Sequence, residues 1–73
     1  MAEEIKISTD TITLGQLLKL ANVIDTGGMA KWFLHNNEVY VNGELENRRG
    51  RKLKHADIVE IQGHGTFIVA SLE

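Results

Sequence analysis

The sequence has no cysteine. A disulfide framework, a thiolate zinc site and a catalytic thiol are therefore excluded, and a reducing, cytoplasmic setting is the expectation. Proline is absent too, and the seven glycines follow no fixed period, so collagen-like and low-complexity classes do not fit. The longest unbroken apolar run, Phe67 to Ala70, is four residues, far below the roughly 18 needed to cross a bilayer as a helix. The start, Met1-Ala2-Glu3-Glu4, is acidic and lacks the charged-then-apolar layout of a secretory signal, which points away from export. The final Leu72-Glu73 is compatible with a cloning remnant and carries no weight.

What is present is 73 residues, 42% apolar and 25% charged, which fits one small folded domain over 1–73 with its core at about 13–70. Eight basic and ten acidic side chains give a formal charge of -2. The charge is unevenly spread: residues 31 to 55 carry six basic and three acidic groups, a local +3, and the remainder carries -5. A phosphate backbone responds to local potential, so a weakly acidic protein can still present a basic face to nucleic acid.

Glu4 to Ile7 alternate polar and apolar, as a short half-buried strand does. Thr13 and Gln16 have capping-box spacing, and Leu14, Leu17, Leu18 and Ala21 follow at helical spacing, predicting a helix from 14 to about 21. Thr26 is placed to cap a second helix whose first turn holds Gly27-Gly28, with Met29, Trp32 and Phe33 as its apolar stripe and Asn36-Asn37 as its end. From Glu38 the period becomes 2. Val39 and Val41 lead into Asn42-Gly43, a favoured type I' turn, and the hairpin returns through Glu44 to Glu46. Residues 47–52 have no apolar side chain and read as an exposed turn or strand edge anchored by Leu53; strands follow at 58–61 and 66–70.

Two constellations carry chemistry. Thr26-Gly27-Gly28 with Lys31 sits where unpaired helix N-H groups can hold a phosphate; ordinary capping and close packing is the competing reading. Arg48, Arg49, Arg51, Lys52 and Lys54 place five cations in seven residues, a density that an anionic partner would neutralise. Glu44 and Glu46 on the adjoining strand are available to pair with some of them, but surface pairs contribute only about 0–1 kcal/mol each. Of the stacking candidates, Trp32 lies on the predicted apolar stripe and is assigned to the core, while Tyr40 alternates against Val39 and Val41 and can face outward. The three histidines have no metal-ligand spacing, no nucleophile elbow or phosphate loop occurs, and neither cofactor nor catalysis is expected.

Leu17-Leu18-Lys19, Thr26-Gly27-Gly28-Met29-Ala30-Lys31, Val39-Tyr40-Val41-Asn42-Gly43, Arg48 to Lys52 and the later Asp57-Ile58-Val59 together resemble the S-four (S4-like) RNA-binding domain, or alpha-L motif. The likeness runs from about Thr13 to Val59 and is greatest to small stand-alone bacterial members of YaaA type. It implies an α+β fold with two short N-terminal helices packed on a small antiparallel sheet of four to five strands. It also implies an RNA-binding surface made of Thr26, Gly27, Gly28 and Lys31 with Arg48, Arg49, Arg51 and Lys52. The chain departs from the pattern at Thr13-Leu14-Gly15, where many relatives have Arg-Leu-Asp, and at His55-Ala56-Asp57, where Pro-Gly-Asp is usual.

The expectation is a monomeric, non-catalytic module that binds structured RNA such as ribosomal RNA by shape and phosphate contacts, with Lys54 as a further contact. About five neutralised phosphates would give a log-log salt slope of roughly -3.5 to -4.5. The rival expectation is a protein-protein adaptor in ribosome assembly or DNA replication, whose basic patch docks on an acidic partner.

Overall fold

The computed structural model describes residues 2–72; Met1 of the acidic start and Glu73 of the terminal pair lie outside the described residues. The chain opens with two strands, β1 (Ala2–Ile7) and β2 (Thr11–Thr13), and then enters helix α1 (Leu14–Leu20). Thr13 is extended and launches that helix: its hydroxyl accepts from the Gln16 N-H at 3.2 Å and Gln16 Oε1 accepts from the Thr13 N-H at 3.0 Å. This reciprocal capping box is the one the sequence predicts. Leu14, Leu17 and Leu18 face inward and are fully buried, contributing of order 2 kcal/mol each.

A turn through Asn22, which has positive φ, leads to a single 3-10 turn at Gly27–Met29 and then to helix α2 (Ala30–Asn36). The hairpin of β3 (Val39–Val41) and β4 (Glu44–Leu45) forms as predicted, with Asn42 and Gly43 both at positive φ as a type I' turn demands. The basic segment leads into β5 (Lys52–Lys54), followed by β6 (Ile58–Ile61) and β7 (Gly65–Ser71). Five strands form one sheet in the order β1-β7-β6-β3-β4, and β2 pairs with β5 in a separate two-stranded ribbon.

The architecture is thus the expected small α+β fold, with two corrections. The main sheet is mixed rather than antiparallel, because β1 pairs in parallel with β7 from Ala2 opposite Thr66 to Ile7 opposite Ser71. Alternation in Glu4 to Ile7 marks a strand without specifying its partner or direction, and this pairing joins opposite ends of the chain. The helices, moreover, follow two strands. Thr11–Thr13 is antiparallel to Lys52–Lys54, which buries Ile12 and Leu53 on the ribbon's inner side.

The second helix also differs in phase. Ala30, Phe33 and Leu34 are its buried residues, whereas Met29 and Trp32 are exposed, Trp32 at 63%. The same i, i+3, i+4 spacing fits both stripes, one residue out of register. Close packing decides between them: a Cβ at Gly15 of α1 would lie 3.4 Å from the Ala30 Cβ, a helix crossing with room for alanine but not for indole.

Candidate nucleic-acid interface

The basic loop is held against the start of α1 by its backbone. The Leu14 N-H donates to the Arg51 carbonyl at 2.8 Å and the Gly15 N-H to the Arg49 carbonyl at 2.9 Å, so two amides that the helix leaves unpaired are satisfied by the loop. A Cβ at Gly15 would meet the Arg49 carbonyl at 3.4 Å, ordinary contact, so the seat has room for a methyl and little more. The departure from the Arg-Leu-Asp pattern therefore falls where the basic loop seats.

Glu46 organises the loop from the other side. It is buried, and its Oε2 accepts from Arg48 Nε at 2.9 Å and from the Asn47 and Arg48 N-H groups at 3.1 and 3.0 Å. Its Oε1 accepts from Arg48 Nη2 at 3.0 Å and Arg51 Nη1 at 2.9 Å. The Arg48 hydrogen bond, with help from Arg51, outweighs the opposing effect of burial and holds this carboxyl down at about 2. The same contact raises the Arg48 guanidinium further above its ordinary value.

The five cations of the cluster accordingly divide. Arg48 and Arg51 share one buried carboxylate, and Lys54 Nζ lies 3.6 Å from Asp57 Oδ1. Arg49 and Lys52, with Lys31 on α2, are exposed and have no carboxylate within ion-pair distance among the described residues. Lys54 is set apart from the helix: it belongs to β5, opposite Thr11 on the ribbon, next to a carboxylate of structural use. Burial pushes Asp57 up, but hydrogen bonds from the Lys54 N-H at 2.9 Å and Asn42 Nδ2 at 3.1 Å, with the Lys54 charge, lower it overall. Asn42 Oδ1 also accepts from the Ile58 N-H at 2.9 Å, so the hairpin turn is tied to the start of β6.

The two predicted clusters come together in one of two shallow grooves, and the other reaches only Asn47 of the loop. One is lined by Thr13, Gly15, Gln16, Gly27, Ala30, Arg49 and Gly50, bringing the Gly27 turn beside the basic loop. The other is lined by Gly28, Lys31, Trp32, His35 and Asn47. Thr26 is exposed and precedes the 3-10 turn, but its side chain makes no capping hydrogen bond, because the helix proper begins only at Ala30. The glycines thus belong to a 3-10 turn and not to the first turn of α2.

Trp32, assigned to the core from sequence, is on the surface; its indole lines the second groove together with the His35 imidazole. Its signal in the sequence is that Ala30, Phe33 and Leu34 form an equally good stripe that leaves position 32 outside. Tyr40 is half-buried and lines a different groove with Glu38 and Glu60. Its hydroxyl donates to Glu38 Oε1 at 2.8 Å, and this bond together with the adjacent negative charge raises its pKa. That acidic setting does not suit a phosphate backbone. His35, His55 and His64 are all exposed, and no three potential metal ligands converge among the described residues. No helix among the described residues is long and apolar enough to cross a membrane.

Comparison with known proteins gives two findings. The sequence profile of a family described as "S4 domain" matches residues 5–70. A curated relative from Bacillus subtilis (strain 168), named "Probable ribosome maturation protein RlbA", is 62% identical over 71 residues, covering 97% of this chain and 100% of the relative.

Proposed function

The chain belongs to the S4 domain family, and from that premise we propose that it is a non-catalytic RNA-binding module acting in ribosome maturation, as the name of its Bacillus relative says of that protein. One observation carries this reading: α2 and the loop that bears the basic cluster, remote in sequence, adjoin in two grooves, Arg49 lining one with Ala30 and Lys31 lining the other with Asn47, and neither cation has a carboxylate partner among the described residues. Lys31, Arg49 and Lys52 are the principal phosphate contacts. Arg48, which is 72% exposed although paired, adds a contact as a guanidinium preset by Glu46. Arg51 is 27% exposed and serves chiefly to fix the loop. Thr26, Gly27 and Gly28 contribute an exposed backbone that a sugar-phosphate chain can approach closely.

Such contacts fix position and orientation more than base identity, which suits recognition of a structured ribosomal RNA by shape. With about three to four phosphates neutralised rather than five, the log-log salt slope is expected at about -2 to -3.5. The test is crosslinking and sequencing of RNA and DNA recovered with the protein from cells, with a Lys31→Glu/Arg49→Glu variant as control. That pair leaves the Glu46 anchor intact, unlike a change at Arg51. Discrete ribosomal RNA sites lost in the variant support the reading. Recovery of acidic proteins with no nucleic acid above control overturns it in favour of the adaptor.

A further inference from the structure

An indole on a protein surface needs an explanation, since Trp carries one of the largest apolar surfaces and is usually mostly buried. Trp32 is 63% exposed. It projects from a fixed backbone: Ala30, Phe33 and Leu34 anchor the opposite side of α2, and the Trp32 carbonyl accepts from Asn36 Nδ2 at 2.8 Å. Its ring stacks on no other ring among the described residues. The groove around it is lined by Gly28, Lys31, His35 and Asn47, so it holds one flat apolar surface, one cation, polar edges and no carboxylate.

We propose that this groove is a stacking site for one unpaired nucleobase of the bound RNA, with the base on the Trp32 indole and the adjoining phosphate near Lys31. The proposal rests on the RNA-binding reading and deepens it, because it names the element bound: a nucleotide out of the helical stack. Phosphate contacts alone would treat a continuous duplex and a bulged strand alike, whereas an aromatic face is useful only to a base with a free face. Gly28 adds no side chain over the groove, and Asn47 and His35 offer polar atoms for a base edge. A protein partner fits less well. Protein interfaces are organised around a cluster of apolar anchors, whereas apart from the indole the lining of this groove is polar or charged, and Met29, one turn earlier and also exposed, does not line it.

Trp32 is the single tryptophan of the chain, so its fluorescence reports the site directly. The full chain is titrated with a short oligoadenylate and with an abasic ribose-phosphate chain of equal length and charge. Trp32→Ala and Trp32→Phe are assayed for binding beside it, with circular dichroism as the check on folding. The expected result is that oligoadenylate quenches the indole and the abasic chain does not. Trp32→Ala should bind oligoadenylate roughly 5- to 150-fold more weakly, the range for one lost base-aromatic stack, while Trp32→Phe keeps most of the affinity. All three proteins should bind the abasic chain equally. If the folded wild type binds both chains with equal affinity and unchanged fluorescence, the stacking site is overturned and the RNA reading stands. If it binds neither chain, the stacking site is overturned, and the RNA reading is decided separately by the crosslinking experiment on structured RNA.

Discussion

Replacing Glu46 by Gln keeps the side-chain shape but removes the charge that Arg48 and Arg51 share, and turns one acceptor into a donor facing a guanidinium. The carboxyl is held at about 2 in the folded chain, against about 4.3 when unfolded, and that difference corresponds to about 3 kcal/mol at roughly 1.4 kcal/mol per unit. Water screens part of it, because the Arg48 side chain is 72% exposed, so a net loss of about 1–2 kcal/mol is expected. A chain of this size has a urea m-value of about 1 kcal/mol/M, which places the midpoint of Glu46→Gln about 1–2 M below wild type at pH 7. Far-UV circular dichroism is the suitable probe, since the exposed Trp32 reports folding poorly. The sign follows from the depressed pKa. The charged carboxylate stabilises the fold fully above about pH 4.5, and this contribution is lost as pH falls toward about 2. The gap between wild type and variant should therefore shrink between pH 4.5 and 2. Coincident midpoints at pH 7, or a gap undiminished near pH 2, would refute the assignment of Glu46 as the anchor of the basic loop.

Three further outcomes are expected. Gly15→Ala should change stability by less than about 1 kcal/mol, since its methyl would meet Ala30 and Arg49 only at ordinary contact and helix propensity favours it, whereas Gly15→Val should cost about 1–3 kcal/mol by wedging the basic loop off α1; urea melts of both variants check this. Asn42→Gly should lose about 1–2 kcal/mol with the hydrogen bonds to Asp57 and Ile58, and Asn42→Ala about 1 kcal/mol more because its φ is 51°, both read by thermal unfolding. Lys31→Gln and Arg49→Gln should each make the log-log salt slope of RNA binding shallower by about 0.7–0.9, measured by filter binding across a salt series. Arg51→Gln should lower stability while shifting that slope less, because its charge is already matched by Glu46.

The elements with local rules were legible. A capping box needs only Thr13 and Gln16, and a type I' turn only Asn42 and Gly43, so α1 and the hairpin could be placed from neighbours in sequence. Elements defined by remote partners were not. The parallel pairing of Ala2–Ile7 with β7 and the Thr11–Thr13 ribbon with β5 depend on residues about 40 to 60 positions away, and alternation carries no such information. The phase of α2 was lost for a related reason. Two stripes one residue apart are equally apolar, and only the approach of Gly15 to Ala30 chooses between them. In the candidate site, the basic segment and the Gly27-Gly28 turn were visible as composition. Their division into matched and unmatched cations was hidden, because it hangs on the burial of one glutamate.

That division bears on how a chain of net charge -2 can hold a usable basic face. Five adjacent cations on a free loop would repel one another and spread, and ordering them on a ligand would cost side-chain and backbone entropy at the moment of binding. Here Glu46 removes much of the repulsion by matching Arg48 and Arg51, and its acceptance of two loop N-H groups fixes the backbone as well. The Leu14 and Gly15 amides hold the same loop from the α1 side. Arg49, between these two anchors, is left with its charge exposed on a backbone already positioned next to the Gly27 turn. The loop gives up part of its formal charge for geometry, so its affinity for a phosphate backbone should depend less on how many cations it carries than on where Arg49 and Lys31 stand. On this reasoning, adding a lysine elsewhere in the loop should raise RNA affinity less than Glu46→Gln lowers it, even though both changes make the face one unit more positive. Parallel binding isotherms at one salt concentration decide the point, and a tighter-binding Glu46→Gln would show that charge count, not loop geometry, governs this surface.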